Sequence, residues 1–189
     1  FEEVKGFGGS VIITGKHHKN GTERCLEVAE SLQAQFVVNI QGDEPLLNPK
    51  DILKISDEKE KFPNHVINGM IEIHSDEDPT NINLPKVLTN NQNELIYMSR
   101  LPIPGIKDLS KRPPIYKKQV CIYAFNYQEL KSFGESSQKA DYEKYEDIEI
   151  LRFFDFSIPI KMVETSSSSL AVDVIDDVRK VEQFLNENK

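Results

Sequence analysis

The residues best placed to do chemistry are Gln41, Gly42, Asp43 and Glu44, which follow directly on the apolar run Phe36–Ile40 and stop at Pro45. Such a run reads as a buried strand, and in open α/β sheets ligands sit just beyond the carboxyl ends of strands. An aspartate held there can meet Mg2+ and a phosphate, and the adjacent glycine lets a ligand approach the backbone. The competing reading is an ordinary β-turn carrying two solvated acids. Two further groups invite a chemical reading. Gly6, Gly8 and Gly9 precede a strand instead of opening a helix, so they lack the geometry of a phosphate loop and read as a helix-to-strand turn. The adjacent His17 and His18 have no cysteine or third histidine nearby in sequence, and such a pair alone rarely chelates zinc.

The elements that position these groups follow from apolar spacing. A strand is predicted over 10–14, then a loop over 15–21 and a helix from Thr22 to about Leu32, with Leu26, Val28, Ala29 and Leu32 as its apolar positions. After the strand 36–40, Asn48-Pro49 opens a helix through Ile52, Leu53 and Ile55. A strand over 66–74 precedes a hairpin of 86–88 and 95–99, whose turn is Asn90-Asn91-Gln92-Asn93. A Pro-rich loop, 102–114, leads to a strand over 119–125 and helices over 127–133 and 146–154. Strands over 160–164 and 170–173 and a helix over 176–188, acidic at its start as the helix dipole favours, complete the pattern. Alternating strands and helices predict an α/β fold with a mainly parallel sheet covered on both faces.

With 189 residues and no Pro/Gly/Ser-rich linker, residues 1–189 read as a single domain. The 38% apolar and 29% charged composition includes no apolar run long enough to span a membrane and no secretory signal pattern. A net charge of −8 without a basic stripe argues against nucleic acid or a membrane as partner. A small anionic substrate is compatible with that charge, provided local Arg, Lys or Mg2+ compensates. Cys25 and Cys121 fit no zinc or redox spacing and read as small buried residues of a cytoplasmic protein.

Four segments in order carry a family resemblance: His18-Lys19-Asn20-Gly21-Thr22-Glu23-Arg24, Asn39-Ile40-Gln41-Gly42-Asp43-Glu44-Pro45, Tyr97-Met98-Ser99-Arg100-Leu101-Pro102-Ile103-Pro104 and Ala171-Val172-Asp173. Together they resemble the 3-deoxy-manno-octulosonate (Kdo) cytidylyltransferases. Lys86-Val87 is similar to that family's Val-Lys-Val-Val strand, and Ile148-Glu149-Ile150-Leu151-Arg152 to its Leu-Glu-Gln-Leu-Arg helix. The resemblance implies a three-layer α/β/α nucleotide-diphospho-sugar-transferase-like fold. It implies Mg2+-dependent transfer of a cytidylyl group from CTP to an acidic sugar, Kdo or an analogue, for lipopolysaccharide synthesis, by a homodimer. Residues 97–125 are the candidate dimer interface.

By position, Asp43 and Asp173 correspond to the Mg2+ ligands, a pair that attack on a polyanion requires. Gln41, Arg100, Gln119, Tyr123 and Glu149 correspond to sugar-acid contacts, and Asn20, Gly21, Thr22 and Arg24 border the nucleotide. From the residues alone, other readings stay open. Asp173 could cap a helix, Arg100 could form a surface ion pair, Tyr123 could be a core aromatic and Thr22 a helix cap.

The chain also departs from the family. Its opening basic phosphate loop (Pro-Ala-Arg…Ser-x-Arg-Leu-Pro-Gly-Lys) has no counterpart in these 189 residues. The domain is therefore expected to lack its N-terminal βα units, as a fragment or through loss of CTP binding. Gln119 stands where the family has histidine, Ile150 where it has a polar glutamine, and Asp173-Val174-Ile175-Asp176-Asp177 replaces Asp-Thr-Pro-Glu-Asp. These changes bear on sugar identity more than on reaction type. A non-catalytic binding or dimerisation module, and a cytidylyltransferase for acylneuraminate or another acidic sugar, are the alternatives.

Overall fold

The computed structural model describes residues 1–108, 110, 114–136, 138–166, 172 and 174–187. Short α1 (Glu2–Gly6) and α2 (Gly21–Leu32) precede β1 (Phe36–Ile40), α3 (Pro49–Lys61), β2 (Val66–Glu72), β3 (Lys86–Thr89) and β4 (Leu95–Ser99). Then come β5 (Lys117–Asn126), α4 (Tyr127–Glu135), α5 (Asp141–Glu146), a 3-10 helix (Glu149–Phe154), β6 (Ile160–Glu164) and α6 (Ile175–Glu187). Three helices start where an asparagine side chain accepts a backbone N–H: Asn20 from Glu23, Asn48 from Lys50 and Asn126 from Glu129.

β5 organises the sheet. Successive strand residues point to opposite faces, so Val120, Ile122 and Ala124 enter one core while Tyr123 and Phe125 enter another. The first core also takes Ile55 of α3, Ile67 of β2 and Val163 of β6. The second takes Ala29 of α2, Leu130 and Phe133 of α4, and Leu151 and Phe153 of the 3-10 helix. Burying a side chain such as Phe153 is worth about 1.5–3 kcal/mol over leaving it exposed. Helical layers thus cover both faces of the sheet, in three layers as the resemblance implies.

The balance of the sheet differs from expectation. β1, β2 and β3 each pair antiparallel with β5, and β3 with β4; only β2 and β6 are parallel among the described strands. The sheet is mixed but mainly antiparallel, because the long β5 returns against its neighbours after the hairpin and Pro-rich loop. Residues 10–14 form no strand: they have no ladder partner among the described residues, and Ile13 is 76% exposed. The predicted helix 146–154 is broken at Asp147, whose φ of 50° ends α5 before the 3-10 helix begins. Apolar residues three apart, Ile148 and Leu151, suit a 3-10 turn as well as an α-helix. Most of the predicted strand 170–173 lies outside the described residues, and Val172 belongs to no strand.

Candidate active site

β1 follows β5 as far as the pair Ile40↔Ile122, while β3 follows the same strand only at Lys117 and Lys118. Between them, the edge of β5 around Cys121 is left without a strand neighbour, and the segment after β1 fills it. The N–H of Gln41 donates to the Cys121 carbonyl at 3.3 Å, and the Cys121 N–H donates to Glu44 Oε1 at 3.2 Å. The Glu44 N–H closes the turn onto the Gln41 carbonyl at 3.2 Å. Gly42 lies exposed on this turn, where an added Cβ would meet nothing within 4 Å.

The turn sets two adjacent carboxyls in different surroundings. Asp43 Oδ1 is buried without a hydrogen-bond partner, and the Asp43 carbonyl accepts the Val172 N–H at 2.8 Å. Asp173, the other expected metal ligand, lies outside the described residues. Glu44 is buried with its Oε2 unpartnered. Burial pushes the Glu44 carboxyl up, the Cys121 N–H opposes this, and the charge of Asp43 adds to it. A buried polar atom left unpaired costs about 1–3 kcal/mol and calls for a functional reason. Asn20 Nδ2 and Asn39 Nδ2 are in the same condition. Four of the five such atoms among the described residues therefore fall on the two segments that bracket this turn and the start of α2.

The polar line continues across the sheet face. Thr22, buried in the first turn of α2, donates from Oγ1 to Glu149 Oε2 at 2.8 Å. Burial raises the Glu149 carboxyl, with the Thr22 hydroxyl opposing. Tyr123 is 8% exposed, stacks on Phe125 at 5.8 Å and belongs to the core. Burial also raises its hydroxyl well above the usual range, with Cys121, Glu149 and Glu44 adding to the effect. Thr22 and Glu149 are thus directly joined, and the charges of Glu149 and Glu44 are both felt at the Tyr123 hydroxyl. Burial lifts the Cys25 thiol, near Glu149, to about 11, which suits packing and not nucleophilic chemistry.

The remaining predicted residues lie around this line. Gln119 donates to Asn68 Oδ1 at 3.0 Å, and Asn68 Nδ2 donates to the Val120 and Ile122 carbonyls, beside the bulge that sets Cys121 and Ile122 of β5 between its pairings with Asn68 and Gly69. Arg100 donates to the carbonyls of Glu146, of Ile82 at 2.8 Å and of Asp147 at 3.0 Å, tying the end of β4 to the turn before Glu149. Arg24 donates to Thr14 Oγ1 at 2.7 Å and to the Gly15 carbonyl at 2.9 Å, and Gly21 is exposed at the start of α2. Sequence reasoning assigned no role to Glu44, Asn39 or Asn68; the structure buries Glu44, Asn68 and Asn39 Nδ2. For Asn39 and Asn68, polarity inside apolar strands was the available signal.

Helices on both faces of a mixed sheet, with a carboxylate just beyond the carboxyl end of β1, define an α/β protein whose candidate site lies at a strand end. Residues 1–161 match the model of the family described as cytidylyltransferase. The 3-deoxy-manno-octulosonate cytidylyltransferase of Christiangramia forsetii is 33% identical over 189 aligned residues, covering 98% of this chain and 75% of the relative. A solved structure of CMP:2-keto-3-deoxy-manno-octonic acid synthetase complexed with CTP superposes with a TM-score of 0.90 at 28% identity, covering 100% of this chain and 77% of that one. A putative glucose-1-phosphate thymidylyltransferase from Bacillus anthracis, at 14% identity and a TM-score of 0.64 over 95% of this chain and 67% of that one, shares the fold. The chain belongs to the cytidylyltransferase family, among the 3-deoxy-manno-octulosonate cytidylyltransferases.

Proposed function

We propose that the protein transfers the cytidylyl group of CTP to the anomeric hydroxyl of Kdo or a close sugar-acid analogue. The hydroxyl oxygen bonds to the α-phosphorus, the bond from that phosphorus to the bridging oxygen breaks, pyrophosphate leaves and the hydroxyl proton is lost. The observation that carries this reading is Asp43 Oδ1, a buried acceptor without a donor at the carboxyl end of β1. An oxygen in that state suits a hard cation, so we assign Asp43, with Asp173, as Mg2+ ligands. Bound there, Mg2+ neutralises phosphate charge and aligns the reacting groups.

The chain's own groups do the rest. Gly42 leaves room for close approach to the backbone. Asn20 Nδ2, a buried donor without an acceptor, suits a nucleotide oxygen, with Gly21, Thr22 and Arg24 alongside. Thr22 holds the Glu149 carboxylate in one orientation to accept a sugar hydroxyl, and Gln41, Gln119 and Tyr123 supply further sugar contacts. A guanidinium has five N–H donors; those of Arg100 not given to backbone carbonyls are assigned to the substrate carboxylate.

We further propose a cytoplasmic homodimer supplying CMP-Kdo for lipopolysaccharide synthesis. Ile96, Leu101 and Ile115, 54%, 66% and 68% exposed, make the 97–125 region and its margin the candidate interface. No helix of the described residues is long and apolar enough to cross a membrane. Pyrophosphate release with CTP and Mg2+ across Kdo, its amino-deoxy analogue and acylneuraminate tests the reaction. Release with Kdo or its analogue is expected; release with acylneuraminate alone would reassign the sugar, and release with none would overturn the reading.

A further inference from the structure

His17 and His18 have no metal-binding partner nearby in sequence, but the fold supplies one. Glu27, on the second turn of α2, reaches back to the loop: its Oε2 lies against His18 Nε2, and it accepts the Gly15 N–H at 3.0 Å. The two imidazoles are stacked at a tilt with centroids 4.1 Å apart. One ligand atom from each of His17, His18 and Glu27 lies within 4.8 Å of the other two, the single such group among the described residues. His18 is nearly buried and Glu27 partly so, whereas His17 is exposed. Ligand atoms on one Zn2+, at about 2.0–2.1 Å each, lie at most about 4.2 Å apart. Closing the group therefore needs a side-chain adjustment on the order of an ångström.

The surroundings hold the group in place. The Gly15 N–H orients the Glu27 carboxylate, as outer partners of metal ligands do. Arg24 grips the Gly15 carbonyl and the Thr14 hydroxyl from one turn earlier on α2. A Cβ at position 15 would collide with the His17 ring, so glycine there lets the ring lie over the loop. Two imidazole nitrogens and one carboxylate oxygen are the donors of Zn2+ and its neighbours, whereas Mg2+ takes oxygen.

We propose that His17, His18 and Glu27 form a site for a divalent first-row transition metal ion, Zn2+ or Co2+, that clips the loop before α2 onto that helix. The ion replaces the direct His18–Glu27 contact, and water completes its coordination. The site shares no ligand with the Asp43 carboxylate, and the proposal does not rest on the reaction proposed above.

The test titrates the untagged protein with Co2+, following the visible d–d bands, and then displaces it with Zn2+. One equivalent with nitrogen/oxygen-type bands is expected, unaffected by millimolar Mg2+. His17→Ala, at an exposed position that leaves the fold intact, weakens binding by about tenfold or more, as does Glu27→Gln. Gly15→Ala weakens it by displacing the His17 ring. Asp43→Asn leaves it unchanged. A thiolate-to-cobalt charge-transfer band, or affinity unchanged in His17→Ala and Glu27→Gln, overturns the proposal. So does loss of binding in Asp43→Asn, which would place the ion at the reaction site.

Discussion

Asp43 and Glu44 are neighbours in sequence, yet the turn after β1 gives them different tasks. Each keeps one buried oxygen without a donor, but Glu44 also lends its other oxygen to the Cys121 N–H and fills the edge of β5 where no strand runs. The folded-state pKa of Glu44 is raised, chiefly by burial. Its carboxyl therefore binds a proton more readily folded than unfolded, and stability falls as pH rises from the unfolded value through the folded one. Glu44→Gln keeps the acceptor and removes the buried charge. It is expected to match or exceed the wild-type melting temperature at pH 7, with the advantage shrinking toward pH 4. A deficit larger at pH 7 than at pH 4 would contradict this. At the same scale, Thr22→Val leaves Glu149 without its hydroxyl donor. It should raise the KM for the sugar more than that for CTP; equal effects would mean that the Thr22–Glu149 bond serves the fold and not the sugar.

At the scale of elements, the 3-10 helix that carries Glu149 is pinned by Arg152. Its Nε and Nη2 each reach Glu143 at 2.6 Å, Nη1 reaches the Phe133 carbonyl at 3.1 Å, and the guanidinium lies 3.7 Å from the Phe133 ring centroid. Both partners are buried. Arg152→Met leaves the Glu143 charge uncompensated and should cost about 3–5 kcal/mol by urea unfolding, much of it recovered by adding Glu143→Leu. Additive losses in the double variant would contradict the pairing. The strand before the site was legible in sequence, since Phe36–Ile40 is an apolar run cut off by Gln-Gly-Asp-Glu. So were the helices opened by Asn48-Pro49 and by the Asn20 cap, because their signals are local. Residues 10–14 were not, since apolar spacing cannot reveal whether a ladder partner exists. Nor was the antiparallel balance, which depends on how β5 returns across the sheet. The burial of Glu44 and the approach of Glu27 to His18 are likewise tertiary facts, invisible to spacing.

For the molecule as a whole, a net charge of −8 sits beside two anionic substrates. Binding must then rely on local cations and on oriented donors such as Asn20 Nδ2, not on a general attractive field. The exposed apolar residues Leu101 and Ile115 lie on the loops flanking the hairpin and β5. Sedimentation equilibrium should give the mass of two chains, and Leu101→Asp with Ile115→Asp should give one. A monomeric wild type would remove the proposed interface without touching the reaction.

The central claim is that the Asp43 carboxylate serves cytidylyl transfer. Formation of CMP-sugar from labelled CTP and Kdo, measured for the wild type beside Asp43→Asn with circular dichroism on both, tests it most directly. Product is expected from the wild type, with a loss of at least about a thousandfold in Asp43→Asn, roughly 4 kcal/mol of transition-state stabilisation, and an unchanged spectrum. Product at wild-type rates from a folded Asp43→Asn would contradict it.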